Sequence, residues 1–430
     1  MTRQDGKTKR IKPDLPGGFR DYAPVDAIAR QRMLDTIRRT FESFGFDPLE
    51  TSAVQRTEAL TGGEEDSGKI IFNIRGSQEE ASDASLRFDL TVPLARFVAA
   101  NPGIPRPFKR YQIGTVWRGE RQQAGRYREF TQADVDIVGS SSIAADVEIA
   151  TIIYTVFKNL GIEKFVITYN NRKILNALPA AAGFPEDRLW DALRIIDKRD
   201  KIGEEGVARE LAQAFGADTA GRIGDFVAQG SSDVGGEGAD EYEAIRAALA
   251  AAVPGAEQYL RADISLVRGL SYYTGSVFEV LLTDAPEMGS VCGGGRYDGL
   301  VAQFTGQNIP AVGVSVGVDR LYAALDKLGV LEKKQTLTRV LILRLDETLQ
   351  NEYGVMAGEL RAAGVAAAVY LGDDVNFKAQ LAYAVKKEIP YVVICGAEER
   401  QKNVVAVKNL QTRAQEDIPR AKLAAYFTPS

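Results

Sequence analysis

Residues 109–139 read KRYQIGTVWRGERQQAGRYREFTQADVDIVG, two strand-like runs around a loop crowded with arginine. Within 130–138, Thr131, Ala133, Val135 and Ile137 alternate with Gln132, Asp134 and Asp136, so the three polar residues share one face of a strand. Arg118, Glu120, Arg121, Arg126 and Arg128 precede them in the same expected hairpin. Guanidinium forks suit phosphate oxygens, and carboxylates suit an ammonium or a protonated ring. A site binding both a nucleotide and an amino acid needs both. A half-buried strand with its polar face in water is the plainer account of the same pattern.

Other segments offer matching chemistry. Residues 266–275, LVRGLSYYTG, set Arg268, Tyr272 and Tyr273 at an expected strand end between glycines. Residues 292–299, CGGGRYDG, place Arg296 and Tyr297 in a glycine run that lets backbone approach a ligand closely. In 311–318, four valines occupy one face, and Ala311, Gly313, Ser315 and Gly317 the other. That cleared face suits either a flat ligand or close packing of another element. A helix is expected directly after it, with Arg320 in its first turn. A cation there opposes the helix dipole unless it holds an anion. Asp89 and Thr91 would share a face at the end of a strand; capping of the next helix is the simpler role for Thr91.

Composition narrows the chemistry. The 430 residues contain no histidine and two cysteines, Cys292 and Cys395. Ser–His–Asp and Cys–His catalysis are excluded, and a metal site built by protein side chains alone is not expected. The cysteines form neither a CxxC pair nor a disulfide framework, which fits a reducing cytoplasm. Catalysis then falls to carboxylates, arginines, tyrosines and a bound ion. The net charge of −5 carries no global nucleic-acid signature, so any such contact must come from local patches. No apolar run is long enough to span a bilayer. The basic residues of the N-terminus precede no apolar core, so no signal peptide is expected.

The elements that must position these groups can be read in order. A helix is expected from Pro24 through the stripe Val25, Ile28, Leu34, Ile37, Phe41 and Phe44, stopping at Gly45. Strand character follows at 46–54, 69–73 and 86–90, then a helix at 94–98 beginning at Pro93. A helix at 146–160 and a strand at 165–170 come next. From 171 to 255 alanine and charge dominate, which predicts a helical insertion broken by the Gly/Ser/Asp run at 230–236. Strand character returns at 259–282. After a polar linker, strands at 340–343, 366–370, 391–395 and 404–408 alternate with helices at 348–363 and 377–387. That rhythm predicts a mostly parallel sheet with helices on its faces. Lys378, Lys386, Lys387, Lys402, Lys408 and Arg413 could meet phosphates there or form a solvated surface.

In this order the segments resemble a class II aminoacyl-tRNA synthetase, specifically the histidyl-tRNA synthetase family. The first helix and strand are similar to motif 1, which in that family builds a homodimer interface. Residues 115–130 are similar to motif 2, and 314–321 to motif 3. The tighter signatures are Arg268-Gly269-Leu270 with Tyr272-Tyr273-Thr274-Gly275, and Gly294-Gly295-Arg296-Tyr297-Asp298-Gly299. The resemblance implies an α+β architecture: an antiparallel-sheet catalytic domain in two parts, 1–170 and 256–328, around a helical insertion at 171–255. A linker at 329–337 would lead to a C-terminal α/β anticodon-binding domain at 338–430. It implies activation of L-histidine by ATP with Mg²⁺, then transfer to the 3′ end of tRNA(His). Arg118 would grip the α-phosphate, Arg320 the γ-phosphate, and Arg126 would assist at the triphosphate. Glu120 and Phe130 would hold adenine, and Arg268 would stabilise charge at the reacting phosphate. Asp89, Thr91, Gln132 and Asp136 would recognise the amino group and imidazole, with Tyr273 and Tyr297 completing the pocket.

Three positions depart from the family pattern. Ser271 replaces a usual aspartate, the loop 121–125 lacks a common proline, and Thr131 stands where some relatives carry histidine. Paralogues of this family act as regulatory subunits of ATP phosphoribosyltransferase; they typically lose parts of the arginine set and the C-terminal domain. This chain has both. The absence of histidine would let the chain be translated when histidyl-tRNA is scarce; drift and deliberate engineering account for it as well.

Overall fold

The computed structural model describes residues 11–62, 70–76, 83–120, 127–229, 235–268 and 273–428. They fall into two compact units, one within Met1–Arg20 and Met33–Val330, the other within Asp21–Arg32 and Leu331–Ser430. The first helix, Pro24–Ser43, begins at its proline and ends ahead of Gly45, whose φ of 75° disfavours other residues.

The described strands of the first unit are β1 (Asp47–Pro48), β2 (Val54–Arg56), β3 (Phe72–Asn73), β4 (Ala84–Leu86), β5 (Phe108–Trp117), β6 (Glu129–Val138), β7 (Phe165–Asn171), β8 (Leu260–Ala262), β9 (Ser276–Leu282), β10 (Cys292–Arg296) and β11 (Ala311–Gly317). Eight form one sheet in the order β1-β5-β6-β11-β10-β9-β7-β8, antiparallel except for the outer pairs β1–β5 and β7–β8. β2, β4 and β3 form a small sheet of their own. The expected strand at 46–54 is thus two short pieces in different sheets, since Pro48 lacks the donor for a longer ladder. The expected strand at 86–90 is β4, placed earlier.

Register gives the large sheet two unlike faces. Ala133, Val135 and Ile137 lie opposite Val316, Val314 and Val312, and all six are buried. β9 adds Phe278 and Val280 to this face, and β7 adds Ile167 and Tyr169. The helix Ile143–Asn159 contributes Ile149, Ile152, Ile153, Val156 and Phe157, all essentially inaccessible. Each such side chain contributes roughly 1.5–3 kcal/mol. Arg296 turns to this side and bonds Asp146, with Nη1 donating to the Ser140 carbonyl at 2.9 Å. It ties helix to sheet, a structural role.

Between β7 and β8 the described residues form helices around a core that includes Leu178, Leu193, Ile196, Ile223 and Phe226. The Gly/Ser/Asp run expected to break them lies mostly outside the described residues.

The second unit carries β12 (Val340–Ile342), β13 (Ala367–Val369), β14 (Tyr391–Ile394), β15 (Val404–Asn409) and β16 (Gln415–Pro419), in the order β13-β12-β14-β15-β16. The first three run parallel, but β14–β15 and β15–β16 are antiparallel. The expectation of a mostly parallel sheet is corrected. A parallel return needs a crossover of a dozen or more residues, and the links 395–403 and 410–414 are too short for one. β16 was not foreseen, because Gln415, Glu416 and Asp417 are exposed.

Candidate functional site

The polar face of β6 faces a cavity of about 370 Å³ rather than open water. Its three polar residues are each buried, at 8%, 2% and 3% exposure for Gln132, Asp134 and Asp136. All the residues given ligand roles above line this one cavity except Arg126, which lies outside the described residues along with Arg121, Ser271 and Tyr272.

Neighbouring strands determine how the acidic side is held. Across β5, Arg110 lies opposite Asp136 and pairs with it at 2.7 Å, the arginine side chain being wholly inaccessible. Across β11, Gly313 lies opposite the same aspartate, and a Cβ there would stand 2.0 Å from Asp136 Oδ1. The missing side chain therefore makes room for a carboxylate of the protein itself. The buried Tyr297 hydroxyl donates to Asp136 Oδ1. One position along, Gln132 Nε2 donates to Ser315 Oγ at 2.7 Å. Asp134 lies opposite Ser315, and the serine hydroxyl favours its ionised form.

Burial raises the carboxyl pKa values of Asp89, Asp134 and Asp136, that of Asp134 to about 7, while Arg110 opposes the shift in all three. Burial and nearby Asp136 hold the Tyr297 hydroxyl in its neutral form. Gln132 Oε1 and Asp134 Oδ1 accept no hydrogen bond from the described residues. Buried acceptors are rarely left this way, so the site calls for a ligand rich in donors.

Asp89 and Thr91 reach the cavity by a route other than the expected strand. The helix Thr91–Ala100 starts at Thr91, with Pro93 in its first turn. Asp89 Oδ1 accepts the Val92 N–H at 3.0 Å, so the aspartate, not the threonine, caps the helix.

The arginines occupy the same cavity on their own supports. Arg118 Nε donates to the Phe88 carbonyl at 3.0 Å, and its guanidinium lies 5.1 Å from the Phe130 ring centroid. Arg320, in the first turn of the helix Val318–Lys327, donates from Nη1 to the Ser290 carbonyl at 2.6 Å. Arg268 pairs with Glu279 at 2.8 Å and is 41% exposed against 11% for the glutamate. Glu279 lies on β9 opposite Gly293, so the glycine run leaves space above it. Asp319 joins the hairpin to the helix Val318–Lys327: Oδ2 accepts the Thr131 N–H at 2.5 Å, and Oδ1 pairs with Arg20 at 3.0 Å.

Residues 18–321 match the Histidyl-tRNA synthetase family, and residues 339–428 match the Anticodon binding domain. The chain belongs to the histidyl-tRNA synthetase family. Among its relatives is a histidine–tRNA ligase of Paracoccus denitrificans, 42% identical over 95% of this chain and 92% of that protein. A histidyl-tRNA synthetase from a Nostoc species superposes with a TM-score of 0.86 at 33% identity, covering 97% of this chain and 99% of that one. A Bacillus halodurans chain described as an ATP phosphoribosyltransferase regulatory subunit/histidyl-tRNA synthetase shares the fold, with a TM-score of 0.72 at 23% identity over 87% of this chain and 97% of that one. The family match and its histidine–tRNA ligase relatives together make this chain an aminoacyl-tRNA ligase.

Asp134, Ser315 and Glu279 at the cavity, and Arg110 behind it, escaped assignment from sequence. Asp134 was legible on the β6 face by alternation, and Ser315 on the β11 face, yet neither was given a part. Glu279 and Arg110 carried no local signal, because their partners lie on other strands. The tight fit at β11 has a testable cost. Gly313→Ala is expected to lower stability by about 1–3 kcal/mol through overpacking, read as a lower denaturation midpoint. A midpoint equal to the parent's would mean that Asp136 can step aside freely.

Proposed function

We propose that the chain joins L-histidine to ATP as histidyl-adenylate and passes the histidyl group to the 3′ end of tRNA(His), as a homodimer in the cytoplasm. One observation carries the division of labour within the site. A single cavity holds three arginines, Arg118, Arg268 and Arg320, together with an acid and amide face whose Gln132 Oε1 and Asp134 Oδ1 have no donor among the described residues. Arginine forks suit a triphosphate, and unpaired acceptors suit an ammonium group and ring N–H.

In this reading a carboxylate oxygen of histidine attacks the α-phosphorus, and the bond to the pyrophosphate oxygen breaks. Arg118 grips the α-phosphate, Arg320 the γ-phosphate, and Arg126 assists along the chain. Arg268 stabilises the charge growing on the reacting phosphate, where a fixed donor contributes most. Phe130 and Glu120 hold adenine. Asp89, Thr91 and Gln132 take the amino group, while Asp136 with Tyr273 and Tyr297 takes the imidazole. A terminal tRNA hydroxyl then attacks the adenylate carbonyl, and AMP leaves. Among the described residues no group of three or more acidic or cysteine side chains could hold a metal ion. Mg²⁺ would enter with ATP as a counter-ion of its phosphates. The C-terminal unit takes the anticodon arm, with Lys378, Lys386, Lys387, Lys402, Lys408 and Arg413 as phosphate partners. No described helix is long and apolar enough to cross a membrane.

The test is ATP–pyrophosphate exchange with each of the twenty amino acids in turn. Exchange is expected with histidine alone. No exchange with histidine would defeat the enzymatic reading, and exchange with a different amino acid would defeat the specificity.

A further inference from the structure

Gln132 Nε2 donates to Ser315 Oγ, and Ser315 lies opposite Asp134, whose ionised form its hydroxyl favours; all three line the cavity, and a proton relay along them has a direction. A side-chain amide has a donor end and an acceptor end of nearly the same shape, so its neighbours decide which end meets a ligand. Ionised Asp134 can only accept. It draws the Ser315 hydroxyl proton toward itself, which leaves Ser315 Oγ as an acceptor for Gln132 Nε2 and turns Gln132 Oε1 to the cavity. Protonated Asp134 can donate to Ser315 Oγ instead. The serine proton is then free to point at the amide, and Gln132 is released to present its NH₂.

We propose that Asp134, acting through the Ser315 hydroxyl, is the positioning residue that keeps the acceptor end of Gln132 toward the substrate's α-ammonium group, and that its ionisation makes histidine binding pH-dependent. The inference rests on the reading above that Gln132 meets the amino group.

The surroundings permit the switch. Arg110 on β5 favours the ionised form, while Asp136 along β6 and Asp89 before the helix Thr91–Ala100 oppose it. Arg87, the Cys292 thiol on β10 and Tyr297 also feel this charge. Glu279 stands further along the same row, across Gly293 and Ser315. Burial pushes the Asp134 carboxyl up to about 7, so acidification protonates it and removes the polarity, and KM for histidine rises as pH falls.

The test uses the full chain and its Ser315→Ala and Asp134→Asn variants in pyrophosphate exchange between pH 6 and 8.5. Inhibition by desaminohistidine, which has the ring and carboxylate but no ammonium, is measured alongside. At pH 8 both variants should show KM for histidine raised about tenfold, the worth of one misdirected charge-assisted hydrogen bond. Their KM for ATP and inhibition by desaminohistidine should stay within about threefold of the parent. The parent's rise in KM below about pH 7 should be flattened in both variants relative to the parent. Parental KM values for histidine in the variants, or an undiminished pH profile, would overturn the relay. So would equal weakening of histidine and desaminohistidine, since that marks general damage to the pocket. Lack of histidine-dependent exchange by the unaltered chain would instead fault the reading on which the relay rests.

Discussion

Arg268→Ala should lower the rate of histidine-dependent pyrophosphate exchange about 10²–10³-fold, equivalent to about 2.7–4 kcal/mol of transition-state stabilisation, with KM for histidine little changed. The argument is electrostatic. Arg268 lines the cavity with its guanidinium held by Glu279 at 2.8 Å, so its orientation is set before substrate arrives. Charge that develops only during displacement of pyrophosphate is then met without reorganisation. The arginine side chain is 41% exposed, so its removal should leave the denaturation midpoint close to the parent's. Ser271, where the family usually has aspartate, lies outside the described residues; Glu279 on β9 supplies an acidic partner for Arg268. Arg268→Lys should recover only part of the loss, because an ammonium cannot reproduce the planar fork. A kcat within threefold of the parent for Arg268→Ala would remove the residue from the chemical step.

Asp136→Ala should abolish histidine-dependent exchange at millimolar histidine and lower stability by about 3 kcal/mol, the scale for leaving a buried charge unpaired. The stability cost follows from Arg110, whose side chain has no accessible surface and which pairs with Asp136 at 2.7 Å. Asp134, which also interacts with Arg110, should hold the loss near the lower end of that scale. On the proposed roles, the functional cost follows from the imidazole losing its acceptor, together with the Tyr297 hydroxyl losing the partner that orients it. Asp136→Asn keeps the shape and one acceptor, so it should recover most of the stability and little of the exchange. Equilibrium denaturation beside exchange kinetics separates the two effects. If Asp136→Ala kept a parental KM for histidine, this carboxylate would have no part in recognition.

Much of the site could be read locally, because a strand's faces follow from a period of two. Gln132, Asp134 and Asp136 were placed together by alternation, and the small face of 311–317 by the same rule. Alternation does not say what a face meets. The cleared face of β11 suggested a flat ligand or close packing; at Gly313 the occupant is the Asp136 carboxylate. Asp89 and Thr91 show how a local rule can misplace a residue. Strand geometry was assumed through 91, whereas the helix begins there and Asp89 caps it.

The C-terminal unit shows a related limit. Its strand and helix order was visible in the apolar runs, but the direction of β15 and β16 was not. A short antiparallel return and a parallel crossover begin with similar apolar segments, and the exposed sequence of β16 resembles a loop. The length of the connections, once the strand ends were known, decided the pairing.

By itself the sequence determined the chemical vocabulary of this protein. With no histidine, the site had to work through arginines, carboxylates and tyrosines, and local periodicity assigned many of them to common faces. The tertiary structure decided the partnerships. Arg110 with Asp136, Glu279 with Arg268, Ser315 with Gln132 and Asp319 with Thr131 each join different elements, the last two pairs more than 180 residues apart in the chain. Periodicity acts over a few residues. Register between distant strands is set by which buried faces can close on one another, and that balance exists only when the whole sheet is assembled.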